Sequence, residues 1–440
     1  MENKRPLYVY YQAPESGEWK TIGAYRHDQE KKLGSFTYLE SYVENDSPVS
    51  IDPFNLPIRQ GPQIPFACSR YGGLHDVLRD SGPDGWGRYL LSKFSGVKQD
   101  ASSLEFLRRS KNHDRWGALA IGDSVKAPTS FMDTPTFPGF DLLVDELAAL
   151  EDGKPAVDAK LRRRLQEYSG GGARPKATVR DKDGALWIAK PRSRHDHPET
   201  PALEYFCHTW GSLIGINVAK TQLETTPKGN SVALIKRFDR DGSKRILCLS
   251  AASAMGHENP SSALSGAIPP SYPLLASKLK LIGAPLEDRK ELFDRMVFNA
   301  LCGNDDDHTR NHALVFDASK KGWRLSPAYD LVPTLNDPPT HLAMCLSVND
   351  RRISTANILS GYAHFGFFSA HEARERLEFI AQKSRECFLE VASILSAELR
   401  PTLQNQIDCA CKALGDGDAE VAAATKNRKP AKSSTGGLTK

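Results

Sequence analysis

No apolar run in the 440 residues approaches the ~20 needed to span a bilayer; stretches such as residues 185–189 are far shorter. Cysteine pairs are missing too. The 8 cysteines are scattered without a CxxC pair, which excludes a disulfide framework. Cys409 and Cys411 stand too close together in an expected helix for a zinc site. The first residues lead straight into Leu7-Tyr8-Val9-Tyr10-Tyr11, a strand pattern. They lack the apolar core and small-residue cleavage site of a signal peptide, so a cytoplasmic protein is expected. Strong charge of one sign is absent as well. A net charge of +4 permits a local basic patch without requiring nucleic acid. There is no internal repeat.

What is present is an ordinary globular composition, 40% apolar and 25% charged, which excludes disorder of the whole chain. The length calls for two or three packed units. Residues 1–130 form the first expected unit, rich in strands such as Phe36-Thr37-Tyr38-Leu39 and Val49-Ser50-Ile51. Helices follow from Leu74 to about Phe94, interrupted near Pro83, with Ser81 as a cap. A proline-bearing linker lies between Ser124 and Phe140.

The second unit, 140–280, opens with a helix from Phe140 to about Gln166 that breaks at Gly153-Lys154-Pro155. Strands over 177–179, 185–189 and 231–238 follow, with a helix over 202–213 that aligns Leu203, Phe206, Trp210 and Leu213 on one face. The third unit, 281–425, is mainly helical. Phe293, Met296, Val297, Ala300 and Leu301 recur at the helical period within 286–302, and further helices fill 371–414. Residues 426–440 read as a basic disordered tail.

Three features stand in the order that phosphoryl transfer needs. The first is the glycine-rich turn Ser169-Gly170-Gly171-Gly172-Ala173-Arg174-Pro175-Lys176 ahead of a strand, whose N–H groups can cradle phosphate oxygens. Read alone, such a turn is commonly a plain linker. The second is Lys190 at the end of an apolar strand, placed either for nucleotide phosphates or as a solvated strand end. Glu204 on the next helix is a candidate charge partner.

The third is the spacing of Asp306 and Asn311, that of a D-x-x-x-x-N catalytic loop. It leads into Ala313-Leu314-Val315-Phe316, a polar turn, and a returning strand that delivers Asp330. A carboxylate can orient or accept the proton of a substrate hydroxyl, while an amide and a second carboxylate offer Mg2+ the hard oxygens it prefers. Two other readings remain. The run Asp305-Asp306-Asp307 would cap a turn, or His308 and His312 would form a zinc pair. The second reading lacks the glutamate of an HExxH helix.

These segments together resemble the HipA family of toxin kinases from type II toxin–antitoxin systems. Ser169-x-Gly-Gly-Ala-x-x-Lys176 is similar to its phosphate loop, Ile188-Ala189-Lys190-Pro191 to its lysine strand, and Arg237-Phe238-Asp239-Arg240 to its R-F-D-R. Residues 304–311 resemble its catalytic loop and Ser326-Pro327-Ala328-Tyr329-Asp330-Leu331 its metal-binding segment. The resemblance covers roughly residues 5–410. It implies an α+β, kinase-like bilobed fold with a strand-rich N-terminal subdomain and a mainly helical C-terminal lobe.

The resemblance further implies ATP and Mg2+ as cofactors, with Asp306 as base and Asn311 and Asp330 on the metal. It places Gly171, Gly172, Ala173, Arg174, Pro175, Lys176, Lys190, Lys236, Arg237, Phe238, His308 and Asn311 around the nucleotide. It makes Ser169 the site of self-inactivating autophosphorylation. Lys236 and Arg174 depart from the family, where glutamate and glutamine are frequent. The expected partners are a HipB-like helix-turn-helix antitoxin, operator DNA through that complex, and a protein substrate such as an aminoacyl-tRNA synthetase. Arg374, Arg376, Lys383 and Arg385 would touch DNA phosphates or form the wet face of a helix. A catalytically weak corepressor and a lipid or small-molecule kinase are the competing readings; no amphipathic basic helix supports the latter.

Overall fold

The computed structural model describes residues 5–45, 47–131, 140–154, 158, 165, 171–257, 268–335 and 337–415. Ser169, residues 162–164 and the basic tail lie outside them. In the N-terminal part, β1 (Leu7–Gln12), β2 (Trp19–Asp28), β3 (Leu33–Tyr38), β4 (Phe66–Cys68) and β5 (Leu119–Gly122) make one antiparallel sheet, ordered β4-β3-β2-β1-β5. Its core is aromatic. Tyr25, Phe36 and Tyr38 are buried, and both tyrosine hydroxyls find carbonyls at 2.8 Å, on Gly73 and Leu56.

The strand expected at Val49-Ser50-Ile51 does not form. The N–H groups of Val49 and Ile51 donate instead to the hydroxyls of Tyr42, on the short α1 (Glu40–Val43), and Tyr38, at 2.9 and 3.2 Å. Side chains thereby replace a sheet ladder. Three helices fill the gap before β5: α2 (Asp76–Asp80), α3 (Gly85–Ser95) and α4 (Ser103–Arg109). The break near Pro83 is where the sequence puts it, with a different cap. Asp84 precedes α3, while the Ser81 hydroxyl donates back to the Leu78 carbonyl at 2.9 Å and closes α2.

After α5 (Phe140–Glu151) comes a second antiparallel sheet, ordered β6-β7-β9-β8. Its strands are β6 (Ala177–Arg180), β7 (Leu186–Pro191), β8 (Thr221–Thr225) and β9 (Ser231–Lys236), with α6 (Thr200–Leu213) between β7 and β8. One face of this sheet buries Val179, Trp187 and Leu234 against Trp86 and Leu90 of α3 and Leu143 and Leu147 of α5. Along α6, Leu203, Phe206 and Trp210 are buried as their spacing requires, but Leu213 is 41% exposed. The helix ends there, and the chain turns Ile214 into the core instead.

A hairpin of β10 (Arg240–Asp241) and β11 (Lys244–Arg245) leads to β12 (Cys248–Ser250) and α7 (Ala251–Met255). Next come α8 (Tyr272–Leu281), α9 (Leu286–Cys302), and the hairpin β13 (Ala313–Asp317) and β14 (Gly322–Leu325). β12 pairs with β13 in a third sheet, β12-β13-β14. The chain finishes with α10 (Thr355–Ser360), α11 (Ala370–Val391) and α12 (Leu399–Gly415).

Glu287 and Asp288 occupy the first turn of α9, where carboxylates complement the helix dipole. Its periodic residues are buried, and so is Phe298 opposite them: the C-terminal turns of α9 are enclosed on every side. Each fully buried large apolar side chain contributes about 1.5–3 kcal/mol. That makes α9 the stable post from which the next loop projects. Among the described residues no helix is long and apolar enough to cross a membrane.

Candidate active site

Leaving α9 at Gly303, the chain runs through residues 304–312 before β13. Three neighbouring aspartates in this loop have different fates. Asp305 and Asp306 are exposed and line a cleft of about 640 Å³. Asp307 is 1% exposed and points the other way, accepting from the Tyr272 hydroxyl and bonding His312 Nε2 at 2.9 Å. A carboxylate held in the core by two partners is cement for the loop. Asn311 donates its amide N–H to the Asp306 carbonyl at 3.1 Å, which leaves the amide oxygen for another partner.

Across the cleft, β7 carries Lys190. Its Nζ lies 2.6 Å from Glu204 Oε1 on α6 and 2.7 Å from Asp330 Oδ1. The Glu204 pairing expected from sequence is present. Burial disfavours the Lys190 charge, but Asp330 and Glu204 together outweigh it and hold the pKa above the usual lysine range. The Lys190 ammonium, helped by Lys176, holds Asp330 well below the usual carboxylate range.

Asp330 is pinned by its backbone as well. The segment before it bonds to residues 217–219 through Ala328 N–H to Asn217 and Ala219 N–H to Ala328, each 2.8 Å. Asp330 itself has φ 60°, a left-handed conformation that costs a non-glycine residue on the order of 1–3 kcal/mol and concentrates at functional sites.

The glycine-rich turn closes one side of the cleft, where Gly171, Gly172, Ala173, Arg174, Pro175 and Lys176 all line it. Gly172, at φ 85°, takes a left-handed conformation that favours glycine, and a Cβ there would push aside the Lys176 Nζ, 2.1 Å away. Lys176 is buried, and burial together with repulsion from Lys190 pushes its pKa down to about 8. Arg174 reaches out to Asp196 at 3.1 Å.

Lys236, Arg237 and Phe238 border the cleft where β9 ends. The Phe238 ring packs on Tyr329 at 5.2 Å. The Arg237 guanidinium, however, is consumed elsewhere. It bonds Asp114 and Asp239, while Arg240 donates to the Arg115 carbonyl and the Gly117 N–H donates to Asp239 at 2.8 Å. This buried ion cluster ties the R-F-D-R segment to the N-terminal part. The backbone N–H groups of Lys236 and Arg237 are taken by the carbonyls of Lys220 and Leu186, at 2.8 and 2.9 Å.

His308 lines the cleft and keeps a buried Nδ1 without a hydrogen-bond partner. His312 faces Asp307 instead, so the two histidines do not converge on a zinc ion. Among the described residues no group of three or more His, Cys, Asp or Glu is placed to hold a metal. Mg2+ needs no such cluster, because it binds through one or two carboxylates plus substrate phosphates. The Asn311 oxygen and the Asp330 carboxylate, 41% exposed, fit that donor set.

Sequence reasoning missed the contribution of residues 79–85. Arg79, Asp80, Asp84 and Gly85 line the cleft although they belong to the N-terminal part. Arg310, between Asp306 and Asn311, donates to Asp80 Oδ1 and to the Tyr71 hydroxyl, both at 3.3 Å. Asp80 also accepts from Ser250 N–H and both the Ser250 and Ser253 hydroxyls at 2.7–2.9 Å. The only local signal was a break between two helices. Arg376 pairs with Asp294 at 2.5 Å, which engages one of the four basic positions considered for DNA.

A family model for the HipA-like C-terminal domain matches residues 168–395, more than half of the chain. The chain belongs to the HipA family. A model for the HipA N-terminal domain matches residues 17–122. Two proteins of Sinorhizobium fredii, both named as candidate kinases, are similar to this HipA-family chain. Y4mE is 23% identical over 89% of this chain and 92% of its own length. Y4dM is 26% identical over 68% and 72%. The fold matches that of HipA from Shewanella oneidensis, solved with HipB and operator DNA. The TM-score is 0.71 at 17% identity, covering 95% of this chain and 99% of that one.

Proposed function

We propose that this HipA-family chain is an ATP-dependent protein serine/threonine kinase, the toxin of a HipBA-type pair. The observation that carries this reading is the meeting of Lys190, Glu204 and Asp330 in the cleft that Asp306 and Asn311 line. The names of the two Sinorhizobium relatives support it. Bound ATP supplies the phosphoryl group, and Mg2+ neutralises charge on its oxygens.

The residues of the chain then divide the work. Residues 171–176 and the Lys176 ammonium receive phosphates. Lys190, oriented by Glu204, adds a second cation. Phe238 and the strand end at Lys236 border the purine, with the Arg237 side chain held back in its ion cluster. His308 offers its unpartnered nitrogen. Asn311 and Asp330 hold the metal. Asp306, exposed beside them, orients the substrate hydroxyl and takes its proton. A catalytically weak corepressor has no need of Lys190, Asp306, Asn311 and Asp330 together.

By analogy with the Shewanella complex, the partner is a HipB-like helix-turn-helix antitoxin, with operator DNA bound through that complex. The protein substrate belongs to the translation machinery, an aminoacyl-tRNA synthetase being the expected type. Ser169 is the self-inactivating phosphorylation site, since about −1.5 to −2 units of charge there would repel bound phosphates.

Incubation with labelled ATP and cell lysate is the test. Label should enter protein serine or threonine with wild type and not with Asp306→Asn. Label on Ser169, absent from Asp306→Asn, would mark autophosphorylation. Equal labelling by both forms would remove the assignment of this loop.

A further inference from the structure

We propose that α3 of the N-terminal part is a latch that holds the glycine-rich loop in the cleft, and so sets nucleotide affinity from outside the nucleotide-binding sheet. Three separate observations meet at Gly85 and Trp86. The Trp86 backbone N–H donates to the Gly172 carbonyl at 2.8 Å. Its indole N–H donates to the Lys176 carbonyl at 3.0 Å, so one residue grips both ends of the loop. Gly85 lets the two backbones touch, because a Cβ there would lie 2.9 Å from Ala173 Cα and 3.0 Å from the Gly172 oxygen.

The anchor of the latch is firm. Trp86 is 4% exposed and Leu90 fully buried, and both share a core with Val179, Trp187 and Leu234 of the second sheet. Residues 171–174 of the loop are exposed. Its glycines supply no side chains, and Arg174 reaches an exposed ion pair with Asp196. A segment that must admit and release a nucleotide is thus positioned by contacts it borrows. This N–H in the first turn of α3 goes to a loop carbonyl, where it satisfies an otherwise orphaned helix donor.

The consequence is directional. Loosening the latch acts on the position of the loop and replaces none of the groups proposed to meet phosphate. The effect on ATP rests on reading residues 171–176 as the phosphate loop; the latch itself does not.

Gly85→Ala is the discriminating variant. Gly85 is the first residue of α3, where alanine is a better helix former, so the helix survives while the new methyl displaces the loop. Trp86→Phe keeps the backbone N–H but removes the indole donor and part of the buried ring. Hydrogen exchange at the Trp86 amide and over residues 171–180, without nucleotide, should speed up about tenfold in Gly85→Ala, the size expected for losing one or two hydrogen bonds. ATP affinity by calorimetry should fall about tenfold in both variants, with the melting temperature near that of wild type in Gly85→Ala. Unchanged exchange in Gly85→Ala would overturn the latch whether or not ATP binds. Faster exchange with unchanged ATP affinity would overturn its role in binding. Faster exchange in a protein whose wild type binds no ATP would uphold the latch and refute the nucleotide reading instead.

Discussion

Two loops face each other across the cleft, and they are fastened to different degrees. The loop carrying Asp306 is tied at many points, from the elements beneath it and through Arg310 to Asp80 of the N-terminal part. Asp307 meets Tyr272 and His312, and Asn304 donates to Asn299 at 3.0 Å. The carbonyls of Thr309 and His312 accept from Ala252 and Ala251 at 3.1 and 2.9 Å. The glycine-rich loop is held chiefly from outside, by Trp86. A group that handles a proton must be placed to a fraction of an ångström, because catalysis is lost with misplacement. A loop over a nucleotide has to open for release. The difference in fastening matches the difference in the duties proposed for them.

The largest expected effect breaks the comparison on its rigid side. Asp306→Asn should cut phosphate transfer by about 10²–10⁴-fold, the usual worth of a positioned acid or base, while leaving the melting temperature almost unchanged. Asp307→Asn should do the reverse. It weakens the buried bonds to Tyr272 and His312 and should cost about 1–3 kcal/mol of stability, read by denaturant unfolding. If Asp307→Asn were stable and inactive while Asp306→Asn stayed active, the roles of the two neighbours would be exchanged.

At the glycine-rich loop, Lys176 should make the proposed ATP binding sensitive to pH. Its pKa is lowered from 10.5 to about 8, so the unbound side chain is charged below that value and neutral above it. A triphosphate favours the charged form and raises the pKa on binding. Binding therefore takes up a proton above about pH 8, and affinity should fall as pH rises from there, by at most about tenfold per unit. For folding, the unfolded chain holds the extra proton between about pH 8 and 10.5, so this residue adds stability as pH rises through that window. Calorimetry at pH 7 and 9 checks the binding claim; a flat profile would place Lys176 away from the phosphates. The smallest effect belongs to Leu213. Leu213→Ala should change stability by no more than about 0.5 kcal/mol, whereas Trp210→Ala should cost about 3–5 kcal/mol.

Much of the cleft was legible because short-range spacing carries it. Asp306 and Asn311 sit on one loop, and Lys190 and Glu204 lie on a strand and the helix that follows it. The helix over 286–302 is as its periodicity requires. Local pattern failed where a distant partner decided the outcome. Val49-Ser50-Ile51 has strand composition, yet tyrosine hydroxyls take its N–H groups. Leu213 continues an apolar stripe, yet the helix ends under it. Arg237 sits in a nucleotide-strand motif, yet Asp114 claims its guanidinium.

The sequence by itself determined which chemical groups this protein owns and their order along the chain, since glycine, lysine, aspartate and asparagine at those spacings are local facts. Only the tertiary structure decided which aspartates of the triplet reach the cleft, because that depends on Tyr272 and His312 claiming Asp307. It also decided that the N-terminal part completes the site. Arg310 and Asp80 are 230 residues apart, and Trp86 and Lys176 are 90. Contacts at such separations are selected by burial and packing of whole elements, and no motif along the chain encodes them.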